Sequence, residues 1–135
     1  MITFKFKNGI EGYNMTKELR ERYLNTGAKD LHDEDAIHIA GYENEKVICS
    51  GRMYEVNNIK CIIDNVIVDE DNRKQYVGDT ILRALEDKAV QIAHAIIGVI
   101  PNEESRGFFE AEGYFGEAEL IKDLTVIRGC RGCKK

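Results

Sequence analysis

The chain has 135 residues, a mass of 15.4 kDa and a formal net charge of -5, which fits a single domain over residues 1–135. With 43% hydrophobic and 32% charged residues, it falls among globular proteins and not among disordered or fibrous ones. An acidic chain lacks the clustered cations that neutralise nucleic-acid phosphates, so we expect no nucleic-acid partner. No apolar run reaches the roughly 18 residues of a membrane span, and residues 1–7 lack the apolar core of a signal peptide. We therefore expect a cytoplasmic protein without a membrane partner.

Hydrophobic patterning predicts a strand, a helix and a loop at the start of the chain. Residues 2–7 alternate between apolar and polar side chains, which is typical of a half-buried strand, and Gly9 and Gly12 end it. From Thr16 to residue 25 the apolar positions recur at helical spacing, which predicts a helix with Thr16 as its N-cap and Gly27 as its stop. The polar and acidic stretch 29–35 predicts a loop.

Three strands are predicted next. Residues 37–42 and 47–54 flank a polar turn and predict a hairpin. Residues 59–68 are nearly all apolar, which predicts a central strand covered on both faces. Cys49 and Cys61 lie in these apolar stretches, so we expect them to be small core residues in a reducing compartment.

The second half of the chain alternates helices and strands. A long amphipathic helix is predicted from about Asp79 to Ala93, with Glu86 on its outward face. The apolar stripe of this helix contains Ile81, Leu82, Leu85, Ala89 and Ile92. A buried strand over 95–100 follows.

A short helix and a last strand complete the predicted order. The helix covers 105–112 and stops at Gly113, and the strand covers 120–127. Because a strand–helix–strand connection is right-handed and joins parallel strands, while the hairpins of the first half predict antiparallel pairing, we expect a mixed α/β or α+β fold. Its sheet is mixed and mostly antiparallel, with helices on both faces.

The segment that joins the central strand to the long helix has the pattern of an anion site. Gly78 opens the helix, and the first backbone N–H groups of a helix have no partner within it. The helix dipole attracts anions to this end, and a glycine lets the backbone approach a phosphate closely. Arg73 and Lys74 add positive charge upstream, whereas Asp79 repels a nearby phosphate. The segment predicts a diphosphate-binding corner.

The same segment resembles the signature of the GNAT N-acetyltransferases. That signature is a strand-ending Val, then Arg-x-x-Gly-x-Gly, then a helix with paired aliphatic residues. Val68, Arg73, Gly78 and the pair at 81–82 match it, while Tyr76 stands where the first glycine is usual.

Two further segments resemble the same family. Residues 102–114 are similar to its Asn-x-x-Ala-x-x-Phe-Tyr-x-x-x-Gly-Phe segment, and the stretch from His38 to Arg52 resembles the hairpin of the ElaA-like branch. The resemblance covers about residues 16–127.

The resemblance implies a GNAT-like fold and an N-acetyltransferase that uses acetyl-CoA as cosubstrate. The acceptor is a primary amine of a small molecule or peptide, and transfer occurs in a direct ternary complex. The strands at 60–68 and 95–100 splay apart to admit both substrates, and a homodimer is common among such proteins. The residues implied for acetyl-CoA binding are Val66, Ile67, Val68, Arg73, Lys74, Gln75, Tyr76, Val77, Gly78, Asp79, Thr80, Asn102 and Phe109.

Acetyl transfer also needs a proton acceptor, a donor to the oxyanion and an acid for the thiolate. The usual acid of the family is a tyrosine, but Phe109 occupies that position. Tyr114 or Tyr76 is the alternative acid, or the thiolate leaves unaided. Asp64 is the candidate base, because a carboxylate in an apolar strand is desolvated and shares strand parity with Ile62, where some family members carry a catalytic Glu.

Several of these residues have a structural alternative. Asp64 is equally a partner for a neighbouring cation such as Arg52, which is in turn a candidate anion clamp for the substrate. His32 lies in a loop that borders the expected acceptor site. Tyr114 has the alternative of packing under the sheet, and Tyr76 that of filling the space of the missing glycine.

The tail over 128–135 contains Cys130 and Cys133 in a CxxC pattern flanked by cations. Such a pair suits a metal or a redox couple, but zinc takes four ligands and no second CxxC is present. We therefore favour a flexible basic tail and expect no metal. Two alternatives to the acetyltransferase remain open, namely a non-catalytic acyl-CoA-binding or regulatory protein and a metal- or redox-responsive one.

Overall fold

A computed structural model describes residues 2–24, 29–73 and 77–125. The strands are β1 (Thr3–Asn8), β2 (Ile37–Glu43), β3 (Lys46–Glu55), β4 (Lys60–Val68), β5 (Ile96–Val99), β6 (Phe115–Gly116) and β7 (Leu120–Asp123). The α-helices are α1 (Gly9–Tyr23), α2 (Val77–Gln91) and α3 (Glu103–Ala111), and a 3-10 helix covers Glu70–Asn72.

The strands are ordered β1-β2-β3-β4-β5-β7-β6 in one sheet. The pair β4–β5 is parallel, whereas β1–β2, β2–β3, β5–β7 and β6–β7 are antiparallel. The predicted mixed, mostly antiparallel sheet with a parallel pair is therefore confirmed. None of the described helices combines the length and the apolarity that a membrane crossing requires.

The described residues form two compact units. The first contains those of 1–54 and 63–85, and the second contains those of 55–62 and 86–135. In the first unit β2 and β3 form the predicted hairpin, whose two turn residues, Asn44 and Glu45, both have positive φ angles of 52° and 69°. This is the type I′ geometry that matches the twist of hairpin strands.

Helix α1 differs from the prediction, which placed its N-cap at Thr16. It begins at Gly9, where a φ of +63° turns the chain out of β1 and the N–H donates to the carbonyl of Ala36 at 2.9 Å. Thr16 lies inside the helix, is 1% exposed and donates its hydroxyl to the carbonyl of Gly12. The prediction was wrong because Gly9 and Gly12 indicated the end of the first strand and not the first turn of a helix. The expected stop, Gly27, lies outside the described residues.

In the second unit, the observed boundaries of the helices and strands differ from the predicted ones. Helix α3 begins at Glu103, two residues earlier than expected, because Asn102 and Ser105 form a capping box. Gly113 follows with a φ of +98°, as expected for a helix stop. The last strand ends at Asp123 and not at residue 127, and the two-residue β6 was not predicted because it is too short to show a period.

Helix α2 begins at Val77, two residues before the predicted start, and its apolar stripe is buried as predicted at Ile81, Leu82, Leu85 and Ala89. Glu86 was expected to face outward, but it is 8% exposed. The prediction was wrong because Tyr114 and Lys122, which are distant in sequence, supply its carboxylate with hydrogen bonds.

The two described cysteines are core residues, as predicted. Cys49 and Cys61 are both 0% exposed. Burial raises the pKa of the Cys49 thiol to about 12 and that of the Cys61 thiol to about 11, because a low-dielectric surrounding disfavours the thiolate. Both residues are therefore uncharged at neutral pH.

Candidate functional site

The loop that leads into α2 is attached to β4 and α1. Residue 69 donates its backbone N–H to the carbonyl of Ile48 at 2.8 Å. Arg73 donates its Nε–H to the carbonyl of Val68 at 3.0 Å, and its guanidinium lies 5.4 Å from the ring centroid of Tyr23. The end of β4 and the start of the loop are thus held by hydrogen bonds and by a cation–π contact.

Asp69 is the buried centre of this attachment. The hydroxyl of Tyr23 donates to its carboxylate and accepts the backbone N–H of Glu70 at 3.0 Å. Lys46 and Arg22 lie 3.4 and 3.8 Å from the other carboxylate oxygen. The Tyr23 hydrogen bond, assisted by Lys46 and opposed by burial, lowers the pKa of Asp69. Asp69 was not predicted from the sequence, because an aspartate after a strand is common in loops.

Helix α2 starts at Val77, and the role of its first backbone amides toward a diphosphate stays a prediction. Val77 is 4% exposed and anchors the helix start, while Gly78 and Asp79 are half-buried and Thr80 is exposed. The first N–H groups of a helix are directed out of its end, where the dipole is positive. Of the other implied diphosphate ligands, Lys74, Gln75 and Tyr76 lie outside the described residues.

The implied pantetheine strand leads directly into this loop. Ile67 is 4% exposed, and Val66 and Val68 are half-buried. Between Asp64 and Val66, Asn65 has a φ of +52°, in the left-handed region that asparagine tolerates better than most residues. The extended backbone of β4 is therefore interrupted next to the residues implied for the cofactor arm.

Asp64 is paired with Arg52, as the structural alternative predicted. Its two carboxylate oxygens accept hydrogen bonds of 2.8 and 2.7 Å from Nε and a terminal nitrogen of Arg52. This two-point geometry fixes the orientation of the carboxylate. The Asp64 side chain remains 31% exposed, so its role as a base stays a prediction.

Arg52 also binds two carboxylates of the loop between α1 and β2. Its other terminal nitrogen donates to Asp30 at 2.7 Å and to Asp33 at 3.0 Å. Burial opposes the charge of Arg52, but Asp64 and Asp30 more than offset this and raise its pKa. The arginine side chain is 4% exposed. It is therefore occupied by protein carboxylates, which disagrees with the expectation that it clamps a substrate anion.

Asp33 is the innermost member of this cluster. It is 0% exposed, binds Arg20 at 2.7 and 3.2 Å and accepts the backbone N–H of Asp30 at 2.8 Å. Burial would raise the pKa of Asp33, but the hydrogen bonds from Arg20, from the Asp30 backbone and from Arg52 hold it at about 2. Burial of Asp33 was not predicted from the sequence, because the run of polar residues around it indicated an exposed loop.

Two histidines lie beside the cluster. His32 is exposed, and its ring stacks on that of Tyr54 with a centroid distance of 3.8 Å and an interplanar angle of 10°. His38 is 0% exposed, and its Nε2 lies 3.2 Å from the carbonyl oxygen of Asp33. Burial lowers the pKa of His38, so this histidine is neutral at physiological pH. His32 donates its backbone N–H to the carboxylate of Asp30 at 2.9 Å, and its place beside the acceptor stays a prediction.

In the second unit, the implied cofactor residues have structural contacts. The Asn102 side chain caps α3 by accepting the N–H of Ser105 at 2.8 Å. Phe109 is 6% exposed and makes edge-to-face contacts with Phe108 and Tyr114 at 5.1 and 5.6 Å. Their roles toward acetyl-CoA stay predictions.

Tyr114, the candidate acid, is buried in an ion-pair cluster. It is 2% exposed and donates its hydroxyl to Glu86 at 2.8 Å, while Lys122 binds the same carboxylate at 3.1 Å. Burial and the Glu86 charge raise the pKa of Tyr114, which makes it a weaker acid. This position agrees with the alternative that Tyr114 packs under the sheet.

We expect Tyr114→Phe to lower the free energy of unfolding by about 1 kcal/mol, because one buried hydrogen bond is lost and Lys122 still satisfies Glu86. Turnover should be unchanged. Urea unfolding and a CoA-release assay on the same preparation check this. A loss of turnover of tenfold or more at unchanged stability would instead identify Tyr114 as the acid.

Within residues 2–24, 29–73 and 77–125, no group of three or more His, Cys, Asp and Glu side chains is arranged to hold a metal ion. Cys130 and Cys133 lie outside the described residues, so the tail interpretation stays a prediction.

Several known structures share this fold. A proposed N-acetyltransferase from Lactobacillus plantarum has a TM-score of 0.78 at 15% identity, with 91% of this chain and 98% of that chain covered. ElaA from Escherichia coli has a TM-score of 0.75 at 16% identity, with 91% and 100% covered. The GNAT family N-acetyltransferase YhbS from Escherichia coli, solved in complex with CoA, has a TM-score of 0.75 at 13% identity, with 93% and 83% covered.

The sequence itself matches the model of the acetyltransferase (GNAT) family over residues 8–114. The match spans the β2–β3 hairpin, β4, α2 and α3. The family match supports acyl transfer as the general chemistry. The chain belongs to the GNAT acetyltransferase family.

Proposed function

We propose that this protein transfers the acetyl group of acetyl-CoA to a primary amine of a small molecule or peptide, in a direct ternary complex. The observation that carries this proposal is the family match over residues 8–114. It includes the irregular strand β4 and the amide-bearing start of α2. An assembly as a homodimer stays a prediction.

The proposed path of acetyl-CoA follows the chain backwards from α2. The amides at 77–79 and the guanidinium of Arg73 would bind the diphosphate, which is the chemistry that a helix start and a cation favour. The pantetheine arm would then run along the backbone from Val68 to Val66 and bring the thioester close to Asn65 and Asp64. This direction follows because the diphosphate is fixed at the later end of the segment.

The proposed reaction begins with attack of a neutral amine on the thioester carbonyl carbon. The new C–N bond produces a tetrahedral oxyanion, and a backbone N–H of the interrupted stretch at Asn65 is our candidate donor to it. The C–S bond then breaks and CoA leaves as the thiolate. Asp64 is the candidate proton acceptor, since each of its oxygens keeps a lone pair that Arg52 does not use.

A charge placed at the start of α2 tests the cofactor site. We expect Gly78→Glu to weaken acetyl-CoA binding by tenfold or more, because a carboxylate would stand beside the diphosphate. Gly107→Glu is the matched control, since a Cβ at Gly107 meets nothing within 4 Å and α3 there is exposed. Calorimetric titration with acetyl-CoA and its stabilisation of the fold provide the measurement. Equal weakening by both variants, or no binding by the wild type, would contradict the proposal.

One observation favours a second candidate function, a non-catalytic acyl-CoA-binding or regulatory protein. Phe109 has no proton to give, and the hydroxyl of Tyr114 is committed to Glu86. A CoA-release assay against a panel of amines separates the two functions. Saturable acetyl-CoA binding without turnover of any amine would support the second function, and amine-dependent release of CoA would support the first.

A further inference from the structure

We propose that Tyr23, the last residue of α1, positions the loop that would bind the diphosphate of acetyl-CoA. It is a positioning residue, because it acts through the loop residues that it contacts, Asp69, Glu70 and Arg73. The inference rests on the proposed function, which places the diphosphate at the amides of 77–79 and at Arg73. It adds a residue from a different helix on which the affinity for the cofactor depends.

The hydroxyl of Tyr23 makes two hydrogen bonds to the first residues of the loop. It donates to the carboxylate of Asp69 and accepts the backbone N–H of Glu70 at 3.0 Å. These contacts use both the donor and the acceptor capacity of one hydroxyl group. Because they hold the side chain of one residue and the main chain of the next, they fix the direction in which the backbone leaves β4.

Asp69 connects this contact to the sheet. Its side chain is 5% exposed, and its backbone N–H donates to the carbonyl of Ile48 on β3 at 2.8 Å. Its Oδ2 has no hydrogen-bond partner within the described residues, and Lys46 and Arg22 lie only at ion-pair distances of 3.4 and 3.8 Å from it. The Tyr23 hydroxyl therefore supplies a hydrogen bond that a buried carboxylate needs.

The ring of Tyr23 contacts the other end of the same loop. The guanidinium carbon of Arg73 lies 5.4 Å from the ring centroid, and Nε of Arg73 donates to the carbonyl of Val68 at 3.0 Å. A guanidinium presents several N–H donors in a fixed fork, and the bond to Val68 uses one of them. The ring and the carbonyl together restrict where this phosphate-binding group can lie.

Tyr23 thus holds the segment 69–73 at both of its ends. The proposed diphosphate ligands lie in this segment, at Arg73, and after it, at the start of α2. A loop that samples several positions binds its ligand only for the fraction of time in which the binding groups converge, and the apparent affinity falls by that fraction. Tyr23 therefore raises the affinity for acetyl-CoA by keeping the loop in one position.

Two substitutions separate the hydroxyl from the ring. Tyr23→Phe removes only the hydroxyl and should weaken the binding of acetyl-CoA about tenfold, as expected if the loop then converges for about a tenth of the time. Tyr23→Leu also removes the ring and should weaken binding by a further factor of about three, the scale of an exposed cation–π contact. Calorimetric titration with acetyl-CoA measures both, at a temperature at which circular dichroism shows each variant to be folded.

Tyr13→Phe is the matched control for the loss of the hydroxyl. Tyr13 lies on the same helix, and its ring is 5.0 Å from the guanidinium carbon of Arg20 and not of Arg73. The affinity of this variant for acetyl-CoA should equal that of the wild type. A loss in Tyr23→Phe that Tyr13→Phe does not share is thus specific to the loop.

An Arg73→Gln background distinguishes positioning from a general loss of stability. The difference in affinity between Tyr23→Phe and Tyr23→Leu should disappear there, because no guanidinium is left for the ring to hold. Effects that arise from a less stable fold would instead add to that of Arg73→Gln.

The outcomes separate this inference from the proposed function. Wild-type affinity in Tyr23→Phe, an equal loss in Tyr13→Phe, or a ring effect unchanged by Arg73→Gln would overturn the inference while acetyl-CoA binding stands. Failure of the wild type to bind acetyl-CoA would overturn the proposed function and this inference with it. A loss that is confined to the Tyr23 variants, with a ring effect that depends on Arg73, would support the inference.

Discussion

Asp33→Asn is expected to lower the free energy of unfolding by about 3–5 kcal/mol, the scale found when one partner of a buried ion pair is removed. The replacement keeps the size of the side chain but removes the charge that faces Arg20 and Arg52. Those arginine side chains are 2% and 4% exposed, so water cannot replace the lost carboxylate. Urea unfolding of the two proteins measures the difference.

Asp35→Asn serves as the control for this prediction. Asp35 is exposed in the same loop, and its replacement should change the free energy of unfolding by no more than about 0.5 kcal/mol. A loss of less than about 1 kcal/mol in Asp33→Asn would mean that the two arginines find other partners.

The same carboxylate gives the wild type a specific acid dependence. The pKa of Asp33 is lowered from 3.8 to about 2 in the folded state, so the unfolded chain binds the proton more readily. Its contribution of about 2 kcal/mol is fully present above the unfolded pKa and is lost as the pH falls from about 4 through about 2. The free energy of unfolding of Asp33→Asn should not show this loss between about pH 4 and about pH 2. Urea unfolding of both proteins at a series of pH values checks this.

Gly12→Val is expected to lower the free energy of unfolding by about 3 kcal/mol. A Cβ at this position would lie 2.4 Å from the carbonyl oxygen of Lys7 and 2.4 Å from the ring of His38. The first contact is with backbone and the second is with a fully buried side chain, so neither can move without disturbing the packing of α1 on β2. Thermal and urea unfolding would both report the loss.

Gly107→Val is the matched control for the Gly12 prediction. Gly107 is also in a helix, but a Cβ there meets nothing within 4 Å. Because valine has a slightly better helix propensity than glycine, we expect a change of no more than about 0.5 kcal/mol. Similar losses in both variants would attribute the effect to valine in a helix and not to the close packing at Gly12.

Local patterning predicted the strands better than the helix boundaries. The hairpin of β2 and β3 and the apolar β4 show clear periodicity and chain reversals, so their predicted positions differ from the observed ones by one residue. The start of α1 could not be predicted in the same way. Gly9 acts there as a left-handed junction and Gly12 as a close-packing residue, and only the neighbours in space reveal these roles.

Only some features of the candidate site could likewise be predicted from the sequence. The pairing of Asp64 with Arg52 follows from opposite charges on neighbouring strands, whereas α2 begins one residue before Gly78 and two residues before its predicted start. Asp33 and Glu86 were not expected in the interior, because their partners, Arg20 and Lys122, come from distant parts of the chain. Sequence periodicity assigns a charged residue to the surface unless its partner is known.

The rates at which the buried sulfhydryls of Cys49 and Cys61 react with a disulfide reagent would report local opening in each of the two units. A disulfide reagent attacks the thiolate, which neither residue forms appreciably at neutral pH while it remains enclosed. Modification must therefore wait for a local opening, and its rate reports how often that opening occurs. Since Cys49 belongs to the first unit and Cys61 to the second, peptide mapping of the labelled protein would time the two openings separately.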